Sequence, residues 1–155
     1  MTRTEPVAAA RGLAQHLFPD ALTVLVGGSV PTERRTRTSD LDMVVVTGAE
    51  LEAHRHELTD LLDDLAGADD PAELAFIASR VLNKTALLAL PAGRHWQGSG
   101  KWLLRELRDH DPVLADRLAH SLTAPPRLSG VAREVLDGAG GPLRGGYRVT
   151  DPRRP

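Results

Sequence analysis

The sequence predicts an α+β fold: a small sheet with one helix before it and a bundle of about four helices after it. Three observations predict this. Two short β-branched runs, "LTVLV" (Leu22–Val26) and "LDMVVV" (Leu41–Val46), lie near the start of the chain. From Gly48 to Pro91 every apolar run has helical spacing, and no further strand is visible. Asp-Pro pairs at Asp70–Pro71 and Asp111–Pro112 are helix-start signals, an Asp cap followed by Pro in the first turn.

Taken in order, "EPVAAARGLAQHL" (Glu5–Leu17) reads as an amphipathic helix with Pro6 in its first turn and Val7, Leu13 and Leu17 as its apolar marks. "FPDA" breaks it, and the Leu22–Val26 strand follows. Gly27 to Thr38 is a turn and a polar connector, and Leu41–Val46 is the second strand. "AELEAHRHELTDLLDDLAG" carries Leu51, Leu58, Leu61, Leu62 and Leu65 at helical spacing and ends at Gly67. "DDPAELAFIASRVLNKTALLAL" is a long apolar helix that Pro91 stops. "GSGKWLLRELRDH" and "DPVLADRLAHSL" are two more helices, and "LSGVAREVLDGAGG" is a short last one. The organisation is therefore an α/β part over 1–48, a helical part over 49–140 and a Gly/Pro/Arg-rich tail over 141–155, with no internal repeat. Two strands alone leave open sheet edges, which helices or a second copy of the chain must cover.

Composition narrows the function classes. The 155 residues carry a net charge of −2, with 26% charged and 41% hydrophobic residues, the balance of a globular domain. Cysteine is absent, which removes disulfides, thiolate metal sites and a cysteine nucleophile. Only 3% of residues are aromatic, so no nucleic-acid partner is expected. Met1 to Arg11 has no apolar core of a signal peptide, and no run reads as long enough to cross a bilayer, so no membrane contact and a cytoplasmic location are expected.

The chemistry concentrates in "LVGGSVPTERRTRTSDLDMVVV", Leu25 to Val46. Gly27 and Gly28 let backbone approach a phosphate closely, and Ser29 adds a hydroxyl beside them. Asp40 and Asp42 are two residues apart, so on an extended strand both carboxylates project from one face. Two acids so close repel unless a divalent cation neutralises them, and Mg²⁺ favours carboxylates together with substrate phosphates. An anion cradle beside metal-binding acids points to phosphoryl chemistry on a nucleotide. Ser39 beside the acids is a further candidate nucleotide contact.

"GGS" followed by "SDLD" and an apolar strand resembles the signature of the polymerase-beta-like nucleotidyltransferase superfamily, which includes aminoglycoside and other small-substrate enzymes. "RHWQGSGKWLLRELRDHDPVLADRL" (Arg94–Leu118) resembles the C-terminal helical region of bacterial members. The resemblance implies transfer of a nucleoside monophosphate from an NTP to a hydroxyl of a small-molecule acceptor. It places the triphosphate at Gly28 and Ser29 and two Mg²⁺ ions on Asp40 and Asp42. It also implies a third carboxylate on a later strand. This chain shows no such strand, as if a middle segment were missing. Asp63 or Asp64 is the candidate substitute, and without one the chain reads as a catalytically degenerate relative that binds nucleotide or a protein partner.

Other residues carry weaker signals. Arg34, Arg35 and Arg37 lie in the connector, in reach of phosphate or simply in water. Lys101 opens a helix after two glycines, where it can meet an anion. Trp96 and Trp102 read as core. His54, His56, His95, His110 and His120 lack metal-ligand spacing. Arg105 and His110 form an Arg-x4-His spacing that resembles the nuclease motif of HEPN-type helical proteins, a third functional reading.

Overall fold

Side-chain caps set three of the helix starts. In a computed structural model, which describes residues 4–27 and 42–145, the chain is mixed α+β and mostly helical. The elements run α1 (Thr4–Leu17), β1 (Ala21–Gly27), β2 (Asp42–Thr47), α2 (Gly48–Gly67), α3 (Pro71–Ala92), α4 (Lys101–His110), α5 (Pro112–Ala119) and α6 (Pro125–Gly138). Thr47 caps α2 by accepting from the Glu50 amide at 3.2 Å. Asp70 accepts from the Ala72 amide at 2.6 Å, and Asp111 from the Leu114 amide at 2.9 Å. Each cap satisfies an amide left without an intrahelical acceptor at a helix start. Among the described residues five helices follow the sheet, matching the five helical segments read one by one along the sequence and one more than a bundle of about four. Pro91 does not stop α3 where the sequence suggests. It sits in the last turn, and the helix ends one residue later at Ala92.

Leu58, Leu61, Leu62 and Leu65 of α2 meet Val81, Leu88 and Leu90 of α3, Leu103 and Leu107 of α4, Leu114 and Leu118 of α5, and Leu128, Val131 and Leu136 of α6 in one core. Leu51 packs against its edge. Helix α3 lies among α2, α4 and α6. It is also the one described helix long and apolar enough to cross a membrane by length and composition, which corrects the expectation that no run is. Eight of its residues, from Ala78 to Pro91, are buried in the protein itself.

The sheet is a two-stranded antiparallel pair, with a register irregularity between Ala21 and Thr23. Helix α1 packs on β1 through Ala10 and Ala14, both buried. This corrects the expected apolar face: Leu13 and Leu17 are 50% and 55% exposed. The i, i+4 alanines form the inward stripe because their small side chains let the helix backbone approach the strand.

The chain after α6 returns to α2. Arg55 donates through Nε to the Gly141 carbonyl at 3.0 Å and through Nη2 to the Gly140 carbonyl at 2.6 Å. The Leu143 amide donates to Thr59 Oγ1 at 3.1 Å, and Arg144 pairs with Asp63 at 2.9 Å. Gly140 and Gly141 have φ of 111° and 81°, a left-handed turn that glycine adopts without strain. The Thr59 hydroxyl is spent twice, since it also donates to the Arg55 carbonyl at 2.7 Å. Thr59→Val keeps the shape and leaves the Leu143 amide without its acceptor. It should cost about 1–3 kcal/mol in urea unfolding. A change below about 0.5 kcal/mol would mean that water replaces the hydroxyl.

Candidate functional site

Strand β1 ends at Gly27 and β2 begins at Asp42, and the antiparallel register pairs these two residues directly. The chain therefore leaves β1 at Gly27 beside the point where it enters β2 at Asp42. Cross-strand partners share a face, and Gly27 has no side chain, so the space next to the Asp42 carboxylate is not filled from β1. Asp42 is exposed. Along β2 it shares its face with Val44 and Val46, and Val46 is 1% exposed. A half-buried, β-branched strand thus carries an acid at its solvent end. Gly28, Ser29, Ser39 and Asp40, and the connector arginines Arg34, Arg35 and Arg37, lie outside the described residues.

A groove of about 550 Å³ runs along β1 between the strand and α1. It is lined by Arg11, Ala14, Gln15, Phe18, Val24 and Val26 among others. Val26 is the residue before Gly27, so the groove reaches the Gly27–Asp42 end of the hairpin. Among the described residues, no three His, Asp or Glu side chains converge as a metal-binding group.

Asp63, a candidate third acid, is ion-paired with Arg144 near the far end of α2. Asp64 is exposed on the same helix. Lys101 is the first residue of α4, exposed, with Nζ 5.7 Å from the Trp102 ring centre. The main neighbours of α4 are α3 and α5, whereas those of β2 are β1 and α2. Element packing therefore does not bring Lys101 to Asp42. Trp102 is 54% exposed, not core as its sequence suggests, because Leu103 and Leu107 already fill the inward face of α4. Arg105 and His110 serve different neighbours. The Arg105 guanidinium lies 4.6 Å over Trp102, and the His110 ring is 4.1 Å from that of His95. Five residues along a helix is about 140° of rotation, which explains the separation.

Sequence reasoning missed a charged brace between α2 and α3. Lys84 Nζ is 2.6 Å from Glu57 Oε2 and 3.3 Å from His54 Nδ1. Arg80 also reaches Glu57, at 3.0 Å. A lysine donating to Nδ1 leaves the His54 proton on Nε2, which faces Glu50 Oε1 at 3.9 Å. Burial raises the Glu50 carboxyl above its ordinary value, against the lowering effect of the Thr47 backbone hydrogen bond. The signal in the sequence is the single Lys84 inside the apolar stretch "RVLNKTALLAL".

His110 is held below the ordinary imidazole value of 6.5 by burial first and by His95 second, against the opposite pull of Asp111. His54 is lowered too, by burial and then by Lys84, with Glu57 opposing. Both folded-state values therefore lie below the unfolded value. Above pH 6.5 both rings are neutral in either state, and the shifts cost nothing. As pH falls from 6.5 through the depressed folded values, the unfolded chain takes up protons that the folded one resists, and stability falls. The urea midpoint should thus be lower at pH 5.5 than at pH 7.5, and His110→Asn should flatten that slope. An unchanged slope in the variant would exclude His110 as a source.

Compared with known proteins, the chain matches no family model, no curated protein and no solved structure.

Proposed function

We propose that this chain is a relative of the polymerase-beta-like nucleotidyltransferases. In this reading it moves a nucleoside monophosphate from an NTP to a hydroxyl of a small molecule in the presence of Mg²⁺. The observation that carries the reading is the register that sets Gly27 opposite Asp42, because it joins the two halves of the "GGS…SDLD" pattern at one end of a hairpin. Asp42 suits Mg²⁺: it is an exposed hard-oxygen donor whose cross-strand partner is a glycine. Asp40 is the second carboxylate by its i, i+2 spacing. Mg²⁺ held there would neutralise triphosphate charge and polarise the α-phosphate.

The chain's own residues would then bind and orient the substrates. The backbone amides around Gly28 and Ser29 receive phosphate oxygens. The groove between α1 and β1 offers an apolar bed for the base or the acceptor, with Arg11 at its wall. The acceptor oxygen attacks the α-phosphorus, the bond to the bridging oxygen breaks, pyrophosphate leaves, and the hydroxyl proton passes to a carboxylate or to solvent.

A second reading, a relative that binds nucleotide but does not turn it over, is favoured by one specific observation. One of the two α2 acids that could complete the site, Asp63, is engaged by Arg144, which leaves only Asp64 on that helix. Incubation with labelled NTPs, Mg²⁺ and a panel of hydroxylated acceptors separates the two. Pyrophosphate release supports transfer, and metal-dependent binding without release supports the second reading. Absence of both overturns the assignment. If turnover occurs, Asp63→Asn should leave it unchanged, and loss of turnover in that variant would make Asp63 the third acid.

A further inference from the structure

Helix α4 points Leu103 and Leu107 into the core and leaves Lys101, Trp102, Arg105 and Arg108 exposed. Two cations converge on one ring, Arg105 at 4.6 Å and Lys101 at 5.7 Å from its centre. Lys101 and Arg105 are four residues apart, a like-charge arrangement that is unfavourable on a helix surface. Among the described residues neither they nor Arg108 has a carboxylate within 4.0 Å. Asp109 stands one turn beyond Arg105, yet the guanidinium turns back onto Trp102 instead. The face combines an exposed π-surface with three unneutralised positive charges.

We propose that this face of α4 docks single-stranded nucleic acid. Charge complementarity selects a polyanion. Lys101 to Arg108 spans about 10.5 Å at 1.5 Å per residue, matching about three nucleotides of a stacked strand at 3.4 Å each. The Trp102 ring selects a polyanion that carries bases, since base stacking on an aromatic beside arginine tolerates any sequence. An acidic peptide would meet the cations and leave the ring uncovered. An anionic membrane would find no apolar stripe to insert, because the leucines of α4 face inward. The low aromatic content argues against a platform of several rings, but one ring between cations binds one base. This site is separate from the hairpin and does not depend on nucleotidyl transfer.

The test is fluorescence anisotropy of the full chain with a labelled oligothymidylate between about 50 and 200 mM salt. Expected is binding whose log affinity falls against log salt with a slope of about −2, the value for three phosphate contacts on a single strand. Trp102→Ala should weaken it at least about fivefold, the low end for losing one stacked base. Trp102→Phe should restore most of the loss, and Arg105→Gln should weaken binding and make the slope shallower. Trp96 remains as a fluorescent reporter that Trp102→Ala is folded. No binding at low salt would overturn the proposal. So would binding unchanged in Trp102→Ala, or equal displacement by polyglutamate, which would reassign the face to acidic peptides.

Discussion

Asp42→Asn is expected to weaken Mg²⁺-dependent NTP binding by at least about 100-fold while leaving the fold intact. Removing a ligating carboxylate should cost no less than the 10–100-fold typical of losing a mere supporting hydrogen bond to a metal ligand. Asparagine keeps the shape but loses the charge that makes the oxygen a good Mg²⁺ partner. The fold should survive because Asp42 is exposed at the first residue of β2, opposite a glycine, and supports no packing. If Asp40 lies beside it, the substitution also relieves repulsion in the metal-free protein. Calorimetric titration with MgATP and MgGTP, alongside a thermal melt, reads both halves. Equal affinity in wild type and variant would remove Asp42 from the metal site. A collapsed melting temperature would make it a structural residue instead.

Leu88→Ala is expected to be the most damaging of the simple core truncations, by about 2–5 kcal/mol. Leu88 is fully buried in the C-terminal third of α3, the helix that α2, α4 and α6 all pack against. For a chain of this size the loss corresponds to a fall in melting temperature of roughly 4–20 °C. Phe76→Ala on the same helix is the control. Phe76 is 78% exposed, so its removal should stay within about 0.5 kcal/mol. Similar effects at both positions would mean that α3 is not packed through its Leu88 face.

The helical body was readable where a residue's type alone dictates its place. The leucines of α2 and the Asp-Pro starts of α3 and α5 act locally, through burial period and amide capping, so no knowledge of the rest of the chain is needed. The inward face of α1 was not readable, because alanine barely registers in a hydrophobic pattern even when alanines are the buried residues of the helix. Trp102 was misjudged for the opposite reason. A large aromatic signals burial, but two leucines had already claimed the inward side of α4.

At the candidate site, the spacing of Asp40 and Asp42 suggested a shared metal site, of which only Asp42 lies among the described residues. The Gly27–Asp42 pairing was not legible, because fourteen residues separate the strands, and a register is fixed by turn type only when the connection is short. The Lys84 brace and the return of the chain onto α2 join residues 27 to 86 positions apart. Such contacts leave no local pattern.

That return has a consequence for how the protein is made. Among the described residues, the Arg55 guanidinium on α2 finds its acceptors, and the Thr59 hydroxyl its donor, only in residues 140 to 143. A nascent chain on the ribosome can form α2 early, but it must hold these groups in water until Leu143 has been synthesised and released from the exit tunnel. Completion of the helical body is therefore tied to the end of translation of this region rather than to its beginning. A stalled chain halted before Gly140 should remain protease-sensitive along α2, and one extended well past Arg144 should not.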